Sequence, residues 1–453
     1  MKVEVQIHPV EALHEFAKTE LVIASLDAKL QLDLNIEPFL KFSWTASPVV
    51  LDLLLISAVV YAADKAISRE HFEDRWTRTI DVSIPVHDAD RWNSASELLA
   101  QSISFLTGDH WRFEFVSTTS RLIRRRRNRR SPKGFPSSPV VSLLSGGLDS
   151  FIGALDLLSE HSNRFLFASH YDGKVPGPAS DQDRLLDLLE THFPKRIRHL
   201  QMRIGVQKPE RLSQPTSEEW QADFKFDLNF RSRSFSFLGI AILAASKVGA
   251  NTAVWIPENG PIALNMPLNP SRRGSCSTRT VHPHFLSSIQ KVLDAVGIQH
   301  EVSNPYALYT KGEMVRDCKA QELLKDGCEL TNSCAKSGHN VHWDVRNAGA
   351  CGRCVPCIFR RASLHVANLD NETYGYDVLK RDFRQDEDFY ALLGLIRRNP
   401  SDSEIARILL ANGRLPINQL NDYVAVESRM IAEVRQWLAD KASQKIKNFV
   451  RIK

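Results

Sequence analysis

The sequence predicts an α/β protein built on a doubly wound parallel sheet. An N-terminal α+β domain precedes it, a metal-binding insertion interrupts it and a helical C-terminal extension follows. Three observations carry this expectation. Across residues 139–310, short apolar runs alternate with segments of helical period, the βαβα rhythm of a parallel sheet covered on both faces. A glycine turn, Ser145-Gly146-Gly147-Leu148-Asp149-Ser150, joins the first of those runs to the first of those helices. Four cysteines gather between Cys334 and Cys357, which suggests metal ligation rather than a disulfide framework.

The 453 residues allow two to four domains at ~100–200 residues each. With 43% apolar and 25% charged residues, the composition excludes a wholly disordered, collagenous or disulfide-scaffold chain. A net charge of +5 is too mild to argue for nucleic-acid binding by itself. The opening Met-Lys-Val-Glu-Val-Gln lacks the apolar core of a secretory leader. The most apolar stretch, 49–63, contains Asp52 and falls short of the ~20 residues that span a bilayer. It reads as a buried helix. These features predict a soluble cytoplasmic protein with reduced thiols and no membrane partner.

Within the expected accessory domain, 1–119, strand-like alternation appears in 21–34 and helical spacing in 49–67. A strand follows at 79–86, closed by Pro85, then a helix at 90–106 and a strand at 111–115. No catalytic motif stands out, so this part reads as a scaffold or partner-binding unit. Residues 120–138 form a basic linker: Arg121, Arg124, Arg125, Arg126, Arg127, Arg129, Arg130 and Lys133 precede Gly134 and Pro136. A solvated face is the better reading of such a run, and contact with nucleic acid is the alternative. The central domain, 139–365, is expected to place strands at 139–144, 165–169, 197–204, 253–256 and 300–302. Helices are expected at 149–159, 181–192, 234–248 and 283–296. Residues 366–453 read as a polar helical extension.

The glycine turn has the chemistry of a phosphate cradle. Adjacent glycines let successive N–H groups face an anion, and the following helix adds its positive dipole end. Ser145 and Ser150 can donate hydroxyl hydrogen bonds, whereas Asp149 beside a phosphate makes sense if Mg²⁺ bridges the two. The Gly-Lys-Ser/Thr ending of a Walker A loop is absent. Downstream, Cys351-Gly352-Arg353-Cys354-Val355-Pro356-Cys357 spaces three thiols by two residues each, and Cys334 lies upstream. Four thiolates suit tetrahedral Zn²⁺ in a closed, structural site. Cys328, His339 and His342 compete with Cys334 for the fourth position, while Cys276 and Cys318 read as ordinary thiols.

Ser145 to Ser150 resembles the loop of the PP-loop ATP pyrophosphatases, with their adenine nucleotide alpha hydrolase-like fold. Combined with the late cysteine cluster, Arg360-Arg361 after it and Thr310-Lys311 before a helix, the chain is similar to the QueC family, the 7-cyano-7-deazaguanine synthases. Arg233-Ser234-Phe235-Ser236-Phe237-Leu238 resembles that family's Arg-Asn-x-x-Phe-Leu segment, with Ser234 in place of Asn. The resemblance covers about 139–365. Residues 257–265 and 277–283, and the added flanks, look like those of the larger QueC-like proteins in anti-phage operons.

The resemblance implies an ATP-dependent ligase of an anti-phage defence system. The carboxylate of a 7-deazaguanine would be adenylated with loss of pyrophosphate, and an amine would then attack. That amine is ammonia or belongs to a partner protein of the same operon. ATP/pyrophosphate-binding roles fall to Ser145, Gly146, Gly147, Leu148, Asp149 and Ser150, and catalytic roles to Asp149, Arg233 and Lys311. Glu258, Asn259, Arg279 and His282 are the substrate-binding candidates, and Cys334, Cys351, Cys354 and Cys357 hold the metal. His170 lies near the expected nucleotide but reads as incidental. The alternatives are a PP-loop enzyme that modifies tRNA or DNA, and a non-catalytic nucleotide-binding component.

Overall fold

A computed structural model describes residues 1–8, 15–123, 135, 137–175, 177–213, 226–227, 231–268 and 279–452. Arg124 to Arg130, Lys133, Cys276, Ser277 and Thr278 lie outside the described residues. Eleven strands among the described residues form one mixed, mostly parallel sheet. They are β1 (Lys2–Ile7), β2 (Thr19–Ile23), β3 (Ala28–Asn35), β4 (Thr79–Val86), β5 (His110–Ser117), β6 (Val140–Leu143), β7 (Phe165–Tyr171), β8 (Ile197–Val206), β9 (Glu210–Arg211), β10 (Ala253–Trp255) and β11 (Val302–Ser303). The order across the sheet is β11-β10-β6-β7-β8-β3-β2-β1-β4-β5, and β9 pairs with β3 off this path.

The five strands from β11 to β8 are parallel, and their chain order within the sheet is 5-4-1-2-3. That is a doubly wound sheet whose order reverses between β6 and β10. Residues of alternating direction explain the two helical layers. Val141, Leu143, Leu166 and Ala168 join the core formed with the helices Pro48–Ala66 and Arg233–Val248. Val140, Leu144, Phe165 and Phe167 point the other way, onto Leu148–Glu160 and Pro178–His192. Every residue of β6 is buried, as a strand covered on both faces requires.

The expected accessory domain at 1–119 is not set apart. β3 runs antiparallel to β8, with Leu32 opposite Val206 and Leu34 opposite Ile204, so one sheet crosses the expected boundary. One core does the same: Leu53, Leu54 and Val60 pack with Ile240, Leu243 and Met202. Helix Pro48–Ala66 is apolar nearly all round because it is buried nearly all round. It crosses Arg233–Val248 so closely that a Cβ on Gly239 would collide with the Ser57 hydroxyl. A buried charge cluster completes the join. Arg78 bonds Asp64 and Asp109, and Asp64 Oδ2 accepts from the Ser232 amide (2.9 Å) and hydroxyl (2.7 Å). The N-terminal segment thereby fixes the start of the helix that carries Arg233.

The extension is helical as expected: Glu387–Arg398, Asp402–Asn412, Leu420–Lys441 and Gln444–Val450. Its apolar residues Phe389, Val426 and Trp437 share a core with Leu264, Ile358 and Phe359. Among the described residues, no helix is long and apolar enough to cross a membrane.

That core holds one unpartnered acid. Glu427 is fully buried, and neither carboxylate oxygen has a hydrogen-bond partner. Burial pushes its carboxyl from an ordinary 4.5 up to about 8. Between those values the folded chain keeps a proton that the unfolded chain releases. This contribution to stability is therefore complete below pH 4.5 and lost as pH rises through 8. Glu427→Gln is expected to melt with the parent at pH 4.5 and above it at pH 8, with a gap growing by about 1.4 kcal/mol for each pH unit crossed. Paired thermal melts across that range check the sign.

Candidate active site and metal centre

The glycine turn leaves the carboxyl end of β6, and Glu258-Asn259 follows the carboxyl end of its neighbour β10. Both therefore open into the crevice where the strand order reverses, the usual ligand position in such sheets. Leu148, fully buried, anchors the start of helix Leu148–Glu160. Ser150 Oγ accepts from the Ser145 amide (3.1 Å) and donates to Gly147 O (3.0 Å), and Ser145 Oγ lies 3.1 Å from Ser150 Oγ. Both hydroxyls thus shape the turn. Gly146 sits at φ +92°, a conformation that favours glycine, and its missing Cβ leaves room for Asp181.

Asp149 is the hub. Its Oδ1 pairs with Lys311 Nζ, while Oδ2 accepts from the Asn259 amide (3.0 Å) and side-chain Nδ2 (2.6 Å). Burial pushes the Asp149 carboxyl up, but the Lys311 ammonium and these donors outweigh burial and hold it below its ordinary value. Burial and the Asp149 charge drive Glu258 the opposite way, well above the usual carboxylate range. Asn304 fixes this segment by accepting from the Glu258 amide (3.2 Å) and donating to its carbonyl (2.7 Å). Asn259 also caps helix Gly260–Leu264 through the Ile262 amide (3.1 Å). The structure therefore brings together Asp149, Lys311, Glu258 and Asn259, residues up to 162 positions apart.

Arg233 opens helix Arg233–Val248 with its guanidinium 5.5 Å from the Phe237 ring centre. His170 ends up between Tyr61 and Phe237, with centroids at 5.3 and 5.2 Å. Burial, then the Arg233 charge, lowers His170 to about 3, so it is neutral there. Arg279 and His282 are placed elsewhere. Arg279 donates to Phe105 O (2.8 Å) and covers that ring, and His282 Nδ1 caps helix Pro283–Ala295 at the His284 amide (3.1 Å). Among the described contacts, neither touches the glycine turn, Glu258 or Asn259. They tie that helix to Ser96–Thr107.

Two sets of residues at this edge gave no sequence motif. Tyr61 and Lys65, from the apolar helix Pro48–Ala66, both bond Asp172 just beyond β7. Charged and hydroxyl groups inside an otherwise apolar helix were the available signal. Asn332 donates its amide to Gly146 O (2.8 Å), which ties the glycine turn to the cysteine segment two residues on.

Cys334, Cys351, Cys354 and Cys357 converge, with all four Sγ atoms within 4.8 Å of one another. Cys351 and Cys357 are 3.8 Å apart, the edge of a tetrahedron built from ~2.3 Å metal–sulfur bonds. Backbone amides point at the sulfurs: Lys336 and Cys351 at Cys334 Sγ (3.3 Å each), Arg353 and Cys354 at Cys351 Sγ (3.4 Å each). Such donors favour thiolates, so the set fits a metal ion such as zinc. Gly352, at φ +76°, has no room for a Cβ between Tyr374 and the Tyr376 carbonyl. Cys328 lies apart, its thiol 3.5 Å from Lys325 O, and Cys318 is a buried thiol pushed up to about 12 by burial.

No family model matches the chain, and no curated protein or solved structure does either.

Proposed function

We propose that the chain is an ATP-dependent ligase of the QueC-like PP-loop class, similar in layout to QatC of the Qat anti-phage system. The observation that supports it best is the position of Ser145 to Ser150. This turn lies at the reversal point of the parallel sheet, with the buried Asp149–Lys311 pair beside it. ATP would lie across this crevice with its β- and γ-phosphates on the turn. Mg²⁺, when bound at Asp149, would offset phosphate charge. Lys311 and Arg233 stabilise the charge that builds on the phosphates as the bond to the α-phosphorus breaks.

The substrate is a 7-deazaguanine carboxylate such as 7-carboxy-7-deazaguanine. One of its oxygens attacks the α-phosphorus, the α–β bridge breaks and pyrophosphate leaves. An amine nitrogen then bonds to the acyl carbon, loses a proton and releases AMP. Glu258, the partly exposed member of the pair, reads the purine-like edge, while Asn259, committed to Asp149 and the Ile262 amide, holds the segment in place. Zinc at the four cysteines holds the segment whose Asn332 braces Gly146. The test is product analysis with Mg-ATP, 7-carboxy-7-deazaguanine and ammonia. AMP plus pyrophosphate that depends on the deazaguanine is the expected outcome, and ADP contradicts it.

A further inference from the structure

The Thr310-Lys311 turn does not stand by itself. Helix Leu420–Lys441 grips it through two residues one turn apart, Arg429 and Glu433. Glu433 accepts from the Thr310 hydroxyl and from the Gly312 amide. Its carboxylate fills the place of a Gly312 side chain: a Cβ there would lie 2.5 Å from Glu433 Oε1. Arg429 donates to Glu313 Oε1 (2.6 Å) and Leu308 O (2.8 Å). Glu313 in turn closes the capping box with Thr310, accepting from its amide at 2.8 Å. Three neighbours of Lys311, namely Thr310, Gly312 and Glu313, are thus held by one another or by the extension. A small cavity lined by Asn259, Lys311, Phe359, Met430 and Glu433 separates the helix from the Asp149 hub.

We infer that Glu433, with Arg429, is a positioning residue: it aims Lys311 at Asp149 and at the phosphates, making the C-terminal extension part of the active site. The kinetic half of this inference rests on the ligase reading, whereas the structural half does not. Glu433 serves as acceptor for the Thr310 hydroxyl and the Gly312 amide, and burial, then the neighbouring Glu313, push its carboxyl up to about 7. Glu433→Gln keeps the acceptor and Glu433→Ala removes it.

The experiment compares both variants and Arg429→Ala in the full-length chain. Lys311 acylation by an amine-reactive ester is read by mass spectrometry, together with ATP kinetics. Glu433→Ala is expected to raise Lys311 labelling about 2- to 30-fold, the range that loss of a helix cap allows. It lowers kcat about 10²-fold with KM for ATP little changed. Glu433→Gln restores both, and Arg429→Ala moves both in the direction of Glu433→Ala. Unchanged Lys311 labelling in Glu433→Ala overturns the inference, and so does unchanged kcat in an active enzyme. A parent chain that does not cleave ATP removes the ligase reading alone, since the labelling comparison still decides whether the extension positions Lys311.

Discussion

Lys311→Met is expected to cut ATP cleavage by about 10²- to 10³-fold, the loss seen when one charge-stabilising donor leaves a transition state. It should also destabilise the fold. Asp149 is buried and paired with Lys311, so removing the ammonium strands a carboxylate left only with the Asn259 amides and the Glu258 side chain. Breaking one side of a buried pair costs about 3–5 kcal/mol. Asp149→Asn has the mirror effect, because it leaves the Lys311 ammonium without its counter-charge and turns an amide donor toward donors. The double variant Asp149→Asn/Lys311→Met separates stability from chemistry. Neutral groups of similar size replace the pair, so its melting temperature should recover most of the loss. Its activity should remain at the level of the worse single variant. Melting curves and initial rates on the four proteins check both halves. Recovery of activity in the double variant would show that the pair matters only for folding.

Cys357→Ser is expected to have the second large effect, on the metal and then on the glycine turn. A four-thiolate site contributes its binding energy directly to folding, about 10–16 kcal/mol in zinc-finger peptides. Serine keeps the volume but offers a poor ligand, so bound zinc should fall from one ion per chain to near none. The consequence reaches further than the cluster, because Cys334 is two residues from Asn332, whose amide holds Gly146 O at 2.8 Å. Elemental analysis should record the loss of zinc, and protease digestion should record new cleavage near residues 330–357. Nucleotide affinity should weaken with them. A strong chelator applied to the parent should reproduce all three changes. A variant that loses its metal but keeps full nucleotide affinity would mean that the cluster and the turn are independent.

Much of the fold was legible because its strands are buried on both faces. Val140, Val141, Leu143, Phe165 to Ala168 and Val254 had to be apolar, and their helices had to be amphipathic. Local breaks were harder to see. The alternation of 21–34 is two strands, split where Asp27 takes a left-handed conformation at φ 46°. The segment 90–106 is two helices, Ala89–Ser94 and Ser96–Thr107, parted at Ala95. The expected boundary at 119 failed for a different reason. Pairing of β3 with β8 joins residues some 170 positions apart, and nothing in local composition records it.

The site divides in the same way. Ser145 to Ser150 and the Cys-x-x-Cys spacing are contiguous, so short-range chemistry identifies them. Asn259 and Glu258 were readable as a strand end. Asn332, Tyr61, Lys65 and Glu433 act through contacts between distant segments, and each is an ordinary polar residue in its own neighbourhood. Arg279 and His282 illustrate the converse. A cation and an imidazole close in sequence suggested a pocket, but packing directs them to Phe105 and the His284 amide.

The most direct test follows an oxygen atom. 7-Carboxy-7-deazaguanine labelled with ¹⁸O in its carboxylate would be turned over with Mg-ATP and ammonia, and the released AMP weighed. Attack of the carboxylate on the α-phosphorus transfers one ¹⁸O to each AMP formed, because the acyl carbon–oxygen bond is the one that breaks when the amine enters. Labelled AMP with unlabelled pyrophosphate is the expected result. AMP without the label, or ADP and phosphate in its place, would contradict carboxylate adenylation at the Ser145–Ser150 turn.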